Sequence, residues 1–325
     1  MKKILLKGGS LSETCLVKSE DRSFVRKSIH LYENVEYGYQ RWYSQLKRLQ
    51  RYNTLFPNYF PKIIDFGRES ENYAFFDMEY VEDSHNLLEW IISDQCEKRD
   101  INLVQDKMFE LFDSMHKTHY DSSHNSVSLY IFQEVERSLN DCTNKEFVDF
   151  SDNQIIFYNG EEILSFKHLI HEYSNLFLKL YDSKVECFSH GNSTLENMLW
   201  VPEKEQLLFI DPYEENVIDS HLADYSQVLQ SCNSKYELLN DCEETIVGNI
   251  VIAENIFSEN LDLFNKKFIE KIQLRLSEQE YLVVKLLEIS QFIRMLPFKQ
   301  EKSLDKMKLF YTIASKLFHD MRKLT

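Results

Sequence analysis

The chain has 325 residues, of which 43% are hydrophobic and 14% aromatic, enough to bury a large core and to form two lobes. With 37 Lys and Arg against 53 Asp and Glu the formal net charge is −16, a balance that disfavours nucleic acid and favours cationic small molecules. Six cysteines lie scattered without CxxC pairs and read as free thiols in a reducing compartment.

At the start, Ile4 to Leu6 is the only apolar run, short of a signal-peptide core, and no stretch approaches the length of a membrane span. A cytoplasmic protein is expected. Three strands follow one another, Lys3 to Lys7, Glu13 to Lys18 and Ser23 to Ile29, separated by Gly8-Gly9-Ser10 and by the polar turn 19–22. Alternation along the third strand puts Lys27 on the face of Val25 and Ile29, so a basic group is expected among inward-facing residues. Its bland alternative is an edge-strand lysine with Arg26 inward.

From Asn34 to Arg51 the spacing becomes helical, with Tyr39, Trp42, Tyr43, Leu46 and Leu49 on one side. Strands are predicted at Lys62 to Gly67 and Tyr73 to Val81. Beyond Val81 helices dominate: Leu87 to Ser93, Asn102 to His119, Phe166 to Asp182, Tyr236 to Phe257, Phe264 to Leu276, Glu278 to Leu296 and Ser303 to Leu324. Among them lies an island in which strands Met198 to Val201 and Gln206 to Ile210 flank a polar turn. Asp121 to Glu162 is polar and aromatic-speckled, and is read as an insertion or long loop.

Chemistry concentrates at His190-Gly191-Asn192-Ser193-Thr194-Leu195-Glu196-Asn197, followed fourteen residues later by Asp211 at the end of a hydrophobic strand. Loop and spacing resemble the aminoglycoside phosphotransferase and choline kinase family, whose catalytic loop reads His-Gly-Asp, four residues, Asn, before a strand ending in Ile-Asp. The resemblance implies an α+β, bilobal, protein-kinase-like fold, with a β-rich N-lobe over residues 1–81 and a mainly helical C-lobe over residues 82–325. It also implies transfer of the γ-phosphate of ATP or GTP to a hydroxyl of a sugar, an amino alcohol or a surface-polysaccharide precursor. The acidic balance tilts the acceptor towards a cation.

In this resemblance Asn197 and Asp211 hold Mg²⁺, which prefers hard oxygen ligands and takes only one or two from protein beside the phosphates. Lys27 matches the phosphate-binding lysine, and Gly8, Gly9 and Ser10 the turn that covers the nucleotide. Glu36 is the first candidate for the carboxylate that holds Lys27, ahead of Glu33 and Gln40. Glu79, Tyr80 and Val81 correspond to the connection whose backbone reads the adenine edge. His190 orients the loop, and Asp224 matches an acidic residue that tethers it; a plain helix-start carboxylate is the bland alternative. Met115-His116-Lys117-Thr118-His119 has histidines three apart, but with no third ligand evident it reads as a helix end and not as a metal site.

Asn192 departs from the pattern, because an amide cannot accept the proton of an acceptor hydroxyl. Three explanations stand open: an engineered isosteric replacement, a natural pseudokinase that binds nucleotide and acts through a partner, or slow transfer without a base. Retention of the lysine and both metal ligands favours the first. A protein kinase is disfavoured, since the loop lacks that family's Arg and Asp211-Pro212-Tyr213 replaces Asp-Phe-Gly. Neither the oligomeric state nor the acceptor is legible.

Overall fold

The computed structural model describes residues 2–6, 12–19, 22–31, 35–70, 72–118, 126–213 and 216–324, without the side chains of residues 35–37 and 185. Period-two alternation in the first third of the chain yields β1 (Lys2–Leu5), β2 (Ser12–Lys18), β3 (Ser23–His30), β4 (Ile63–Ser70) and β5 (Tyr73–Glu79). These pair into one antiparallel sheet in the order β1-β2-β3-β5-β4. β3 is thus internal, and Lys27 stands between Thr14 and Phe76 of its neighbours. That placement disposes of the edge-strand alternative.

Helix α1 (Val35–Leu55) packs on this sheet through Trp42, Leu46, Leu49 and Tyr52, all buried together with Ile29, Ala74, Phe76 and Met78. It stops where Phe56 precedes Pro57, a pairing that disfavours helical backbone.

After β6 (His85–Asn86) come α2 (Leu87–Ile92) and α3 (Lys98–His116), the latter opened by a capping box between Glu97 and Asp100. Then follow α4 (Ser126–Tyr130), a π-helical segment at Ile131–Glu136, α5 (Arg137–Asn140), α6 (Lys145–Ser151), β7 (Ile155–Tyr158), β8 (Glu161–Leu164) and α7 (Phe166–Leu180). β9 (Met198–Val201) and β10 (Gln206–Phe209) form the expected hairpin, with Met198 opposite Phe209 and Val201 opposite Gln206. The chain ends through α8 (His221–Cys232), α9 (Tyr236–Leu239), β11 (Glu244–Val247), β12 (Ile250–Ala253), α10 (Glu259–Gln273), α11 (Glu278–Arg294), α12 (Leu296–Gln300) and α13 (Leu304–Met321). Every residue of α11 from Val283 to Ile293 is buried, the signature of a helix packed on all sides. No helix of the described residues is long and apolar enough to cross a membrane.

Two expectations are corrected. Residues 126–164 are not a long loop but three short helices, a π-helical segment and the β7–β8 hairpin. The expected helix from Tyr236 to Phe257 breaks after Leu239 into the β11–β12 hairpin. Both misreadings overlooked turn chemistry: Asn159 and Gly160 take φ of 47° and 85°, and Gly248 takes 59°, between runs rich in β-branched residues. β12 then pairs in parallel with β7 to complete a second sheet, β11-β12-β7-β8.

Phe209 joins the hairpin to the core, its ring 5.2 Å from Phe112 and 4.9 Å from His190, with no exposure. Phe209→Ala is expected to lower unfolding free energy by about 3–5 kcal/mol, read from urea denaturation; a loss under about 1 kcal/mol would show that the hairpin does not depend on this ring.

Candidate active site

A buried carboxylate organises the loop. Asp224 lies in the first turn of α8, whose N-cap Ser220 accepts from the Ala223 N–H. It is fully buried, and its two oxygens accept from the backbone N–H of His190 and of Gly191, each at 2.9 Å. The Ser193 hydroxyl adds a bond at 3.1 Å, and His116 Nε2 lies 2.9 Å from Oδ2. Burial alone would raise this carboxyl, but the bonds from His116 and from the loop amide hold it below the ordinary aspartate range. Gln227, one turn further along α8, accepts from Ser193 N–H and donates to the Gly191 carbonyl, both at 2.7 Å. Asp224 and Gln227, one turn apart on α8, thus hold the main chain of His190, Gly191 and Ser193, with His116 of α3 supporting Asp224.

His190 is buried as a neutral ring. Its Nδ1 accepts from the Asn192 N–H at 3.2 Å, while Nε2 faces the Ile210 carbonyl at 2.9 Å. The two contacts require the proton on Nε2. Burial pushes this imidazole down to about 4, against the pull of Asp224. Stacked against Phe60 at 5.9 Å and an interplanar angle of 5°, it spaces the loop from β10 and does not face a substrate.

Helix α1 reaches the same loop from the other lobe. Arg48 donates to the Ser189 carbonyl at 2.7 Å and to Asp219 at 3.0 Å, and the Tyr52 hydroxyl donates to the same carbonyl at 2.6 Å. Asp219 also accepts from the Ser189 hydroxyl and from Asn216 at 2.9 Å. Asn216 in turn presses on Gly191, which holds a φ of 75°; a Cβ built there would lie 1.7 Å from the Asn216 Nδ2.

Lys27 crosses to the hairpin. Its Nζ is 2.7 Å from Asp211 Oδ1, the lysine buried and the carboxylate 30% exposed. Asp211 leaves β10 with a φ of 53°, a left-handed bend that turns the chain out of the strand direction. Asn197 precedes the facing strand at the same, open end of the hairpin: its carbonyl accepts from Ile210 N–H at 2.9 Å, and its side-chain Nδ2 donates to the Asn192 carbonyl at 2.9 Å. The amide is therefore oriented, leaving Oδ1 without a donor among the described residues. A carboxylate oxygen and an amide oxygen on adjoining ends of one hairpin are the hard donor set that Mg²⁺ takes beside phosphates, so these residues fit the ion.

The expected constellation thus converges: Lys27, Asn192, Asn197, Asp211, His190 and Asp224 share one region. Glu79 ends β5 with its N–H given to the Lys62 carbonyl, and the Val81 carbonyl accepts from Ser84, with Tyr80 between them under Lys18. Gly8, Gly9, Ser10 and Glu33 lie outside the described residues, as does the side chain of Glu36; Gln40 is exposed. The partner that the structure gives Lys27 is Asp211. His116 ends α3, as expected of this stretch, and there it is a hydrogen-bond partner of Asp224; His119 lies outside the described residues. Arg48, Tyr52, Asp219 and Asn216 escaped the sequence reading, and only the i, i+4 spacing of Arg48 and Tyr52 on a helix hinted at a shared face.

Gly191→Ala combines a left-handed main chain with a collision, and is expected to cost more than the about 1–2 kcal/mol of the backbone term alone. Added to Asn216→Ala, the same change should cost less, so a double-mutant cycle by urea denaturation reads the collision directly. His190 supplies the acid limit: its folded value of about 4 lies below the unfolded 6.5, so the unfolded chain binds the extra proton first. Stability is therefore whole above about pH 6.5 and falls towards pH 4. Urea midpoints for His190→Gln should fall less steeply over that window; an unchanged slope would assign the acid limit elsewhere.

No family model and no curated protein sequence matches the chain. Solved structures do. A thermostable mutant of the aminoglycoside phosphotransferase APH(4)-Ia superposes with a TM-score of 0.66 at 9% identity, over 100% of this chain and 95% of that one. The GDP and kanamycin complex of APH(2")-IIIa gives 0.58 at 11% identity, over 98% and 93%. Spectinomycin phosphotransferase APH(9)-Ia, bound to ADP and spectinomycin, gives 0.53 at 10%, over 98% and 93%. Across its whole length, this chain has the bilobal fold of the aminoglycoside phosphotransferases.

Proposed function

We propose that the chain is a small-molecule kinase that moves the γ-phosphate of ATP or GTP to a hydroxyl, with residues 1–81 as the nucleotide-binding lobe and 82–325 as the catalytic lobe. One observation carries the reading: Lys27, on an internal strand of the first lobe, meets Asp211 at 2.7 Å, at the hairpin end beside which Asn197 is oriented. Buried lysines are kept where a charge is needed, and a nucleoside triphosphate supplies the matching one. The fold neighbours include complexes with GDP and kanamycin and with ADP and spectinomycin. Support for an acceptor class comes from those names and from the −16 balance, which tilts towards a cationic sugar or amino alcohol.

In this reading the Lys27 ammonium leaves Asp211 for a phosphate oxygen when nucleotide enters, freeing the carboxylate for Mg²⁺ together with the Asn197 Oδ1. The bound ion would neutralise charge on the β- and γ-phosphates. Glu79, Tyr80 and Val81 offer the adenine a main-chain edge, and Gly8, Gly9 and Ser10 are the segment proposed to cover the phosphates. Asn192 orients the acceptor hydroxyl by hydrogen bonding. It takes no proton, which leaves late in a loose transition state and passes to solvent or to the transferred phosphoryl oxygen.

Asn192 also favours a second reading, a nucleotide-binding module that acts through a partner and transfers nothing. Asn192→Asp separates the two. For a kinase, nucleotide consumption with a panel of amino sugars, amino alcohols and neutral sugars should rise by about 10²–10⁴ with one acceptor class, and Asp211→Asn should abolish it. Silence on every acceptor, with nucleotide still bound, would hand the chain to the second reading. If neither Mg-ATP nor Mg-GTP raises the melting temperature of the parent protein, both fail.

A further inference from the structure

Away from the nucleotide site, α1 and the edge strand β4 enclose a groove of about 290 Å³. Tyr39, Trp42 and Tyr43 form its helical wall, and Phe66 its strand wall. Tyr43 and Phe66 are 41% and 49% exposed, an expensive display of aromatic surface on a chain that buries most of its large rings. The rings are ordered among themselves, with Tyr39 stacked on Tyr43 at 6.0 Å and 13°.

Two cations stand over this wall. Arg68 lies 4.8 Å from the Tyr39 ring and Lys47 lies 5.3 Å from that of Tyr43. Among the described residues neither has a carboxylate within ion-pair distance, although acidic residues outnumber basic ones 53 to 37. Three other cations on this lobe's sheet and helix are committed: Arg26 to Asp77, Lys27 to Asp211, Arg48 to Asp219. A third donor is idle too. Trp42 is 5% exposed, and its indole N–H is buried without an acceptor. A buried donor left unpaired costs about 1–3 kcal/mol.

We infer that this groove is a docking site for an acidic segment of a partner protein that carries an aromatic anchor, a Phe or Trp flanked by Asp or Glu. The ring would enter among Tyr39, Tyr43 and Phe66, where aromatic edges and faces are already presented. Carboxylates beside it would meet Lys47 and Arg68. The volume of about 290 Å³ accommodates one aromatic side chain with its neighbouring carboxylate. Because β4 ends its sheet, an extended segment can run along it. The site stands whether or not the chain transfers phosphate, and α1 is one element that connects it with the catalytic loop, through Arg48 and Tyr52.

The test uses the full chain and a fluorescein-labelled peptide of sequence Asp-Glu-Asp-Phe-Asp-Glu, read by fluorescence anisotropy. Saturable binding is expected, weakened by about tenfold or more when Lys47→Glu and Arg68→Glu are combined, and lost when the peptide's Phe is replaced by Ala. Phe66→Ser should weaken it without altering the charge. All variants should keep the parent's melting shift with Mg-ATP or Mg-GTP, or, if the parent shows none, its melting temperature. The proposal is overturned if the acidic peptide does not bind, if a Lys-for-Asp/Glu peptide binds equally well, or if the charge-reversed chain retains full affinity. It is also overturned if sedimentation shows a self-associating parent and a monomeric Phe66→Ser variant, which would give the groove to a second copy.

Discussion

The candidate site rests on a carboxylate that water never reaches. Asp224 has no solvent exposure, and an ionised group so placed survives only when its lone pairs are filled. Two backbone amides of the loop, a serine hydroxyl and His116 fill them, and the N-terminal turn of α8 adds its dipole. The dependence is mutual: the loop has its shape because the carboxylate needs those amides, and the carboxylate is tolerated because the loop supplies them. Removal of either side strands the other in an apolar surrounding, where an uncompensated charge costs far more than a lost hydrogen bond.

The two lobes meet through links of opposite character. Arg48 and Tyr52 grip the Ser189 carbonyl, one residue before the loop, and Arg48 is shielded together with Asp219. Such a contact fixes where α1 sits relative to the loop. Lys27 and Asp211 form the other link, and the carboxylate there is partly exposed. A pair at a wet cleft gains little net free energy, so phosphate and a divalent cation can each replace one partner at small cost. In the proposed reading the shielded link positions the loop and the exposed one yields to ligand.

Much of this was legible in the residues, and what was not has identifiable causes. The Lys27 strand and the hairpin follow from alternation, a local property, whereas the His190 to Asn197 loop was legible through its resemblance to a known family's motif. The error at 236–257 came from weighting helical periodicity over a Gly-Asn turn between β-branched runs, where strand pairing with β7 decided the outcome. Residues 126–164 were opaque because their elements are short, and only packing against α11 and α13 makes them stable. Arg48 with Asp219 could not be read at all: 171 positions separate them, and nothing in either neighbourhood announces the other. His116 with Asp224 is similar, since a histidine at a helix end has many ordinary reasons to be there.

Asn192 shows how far the loop's architecture is independent of its chemistry. Its N–H is given to His190 Nδ1 and its carbonyl to Asn197 Nδ2, so the residue is held by main-chain atoms that every side chain shares. Asp or Asn at this position therefore leaves the orientation of the Asn197 amide, and with it the oxygen offered to a metal, unchanged. In the proposed reading, proton acceptance and metal holding would be separable functions of one loop: the first depends on a single side chain, the second on backbone geometry fixed by a buried carboxylate 32 positions away. A chain could then lose the first without eroding the second, so a nucleotide site beside an amide would be a physically coherent combination and not a sign of a decaying fold.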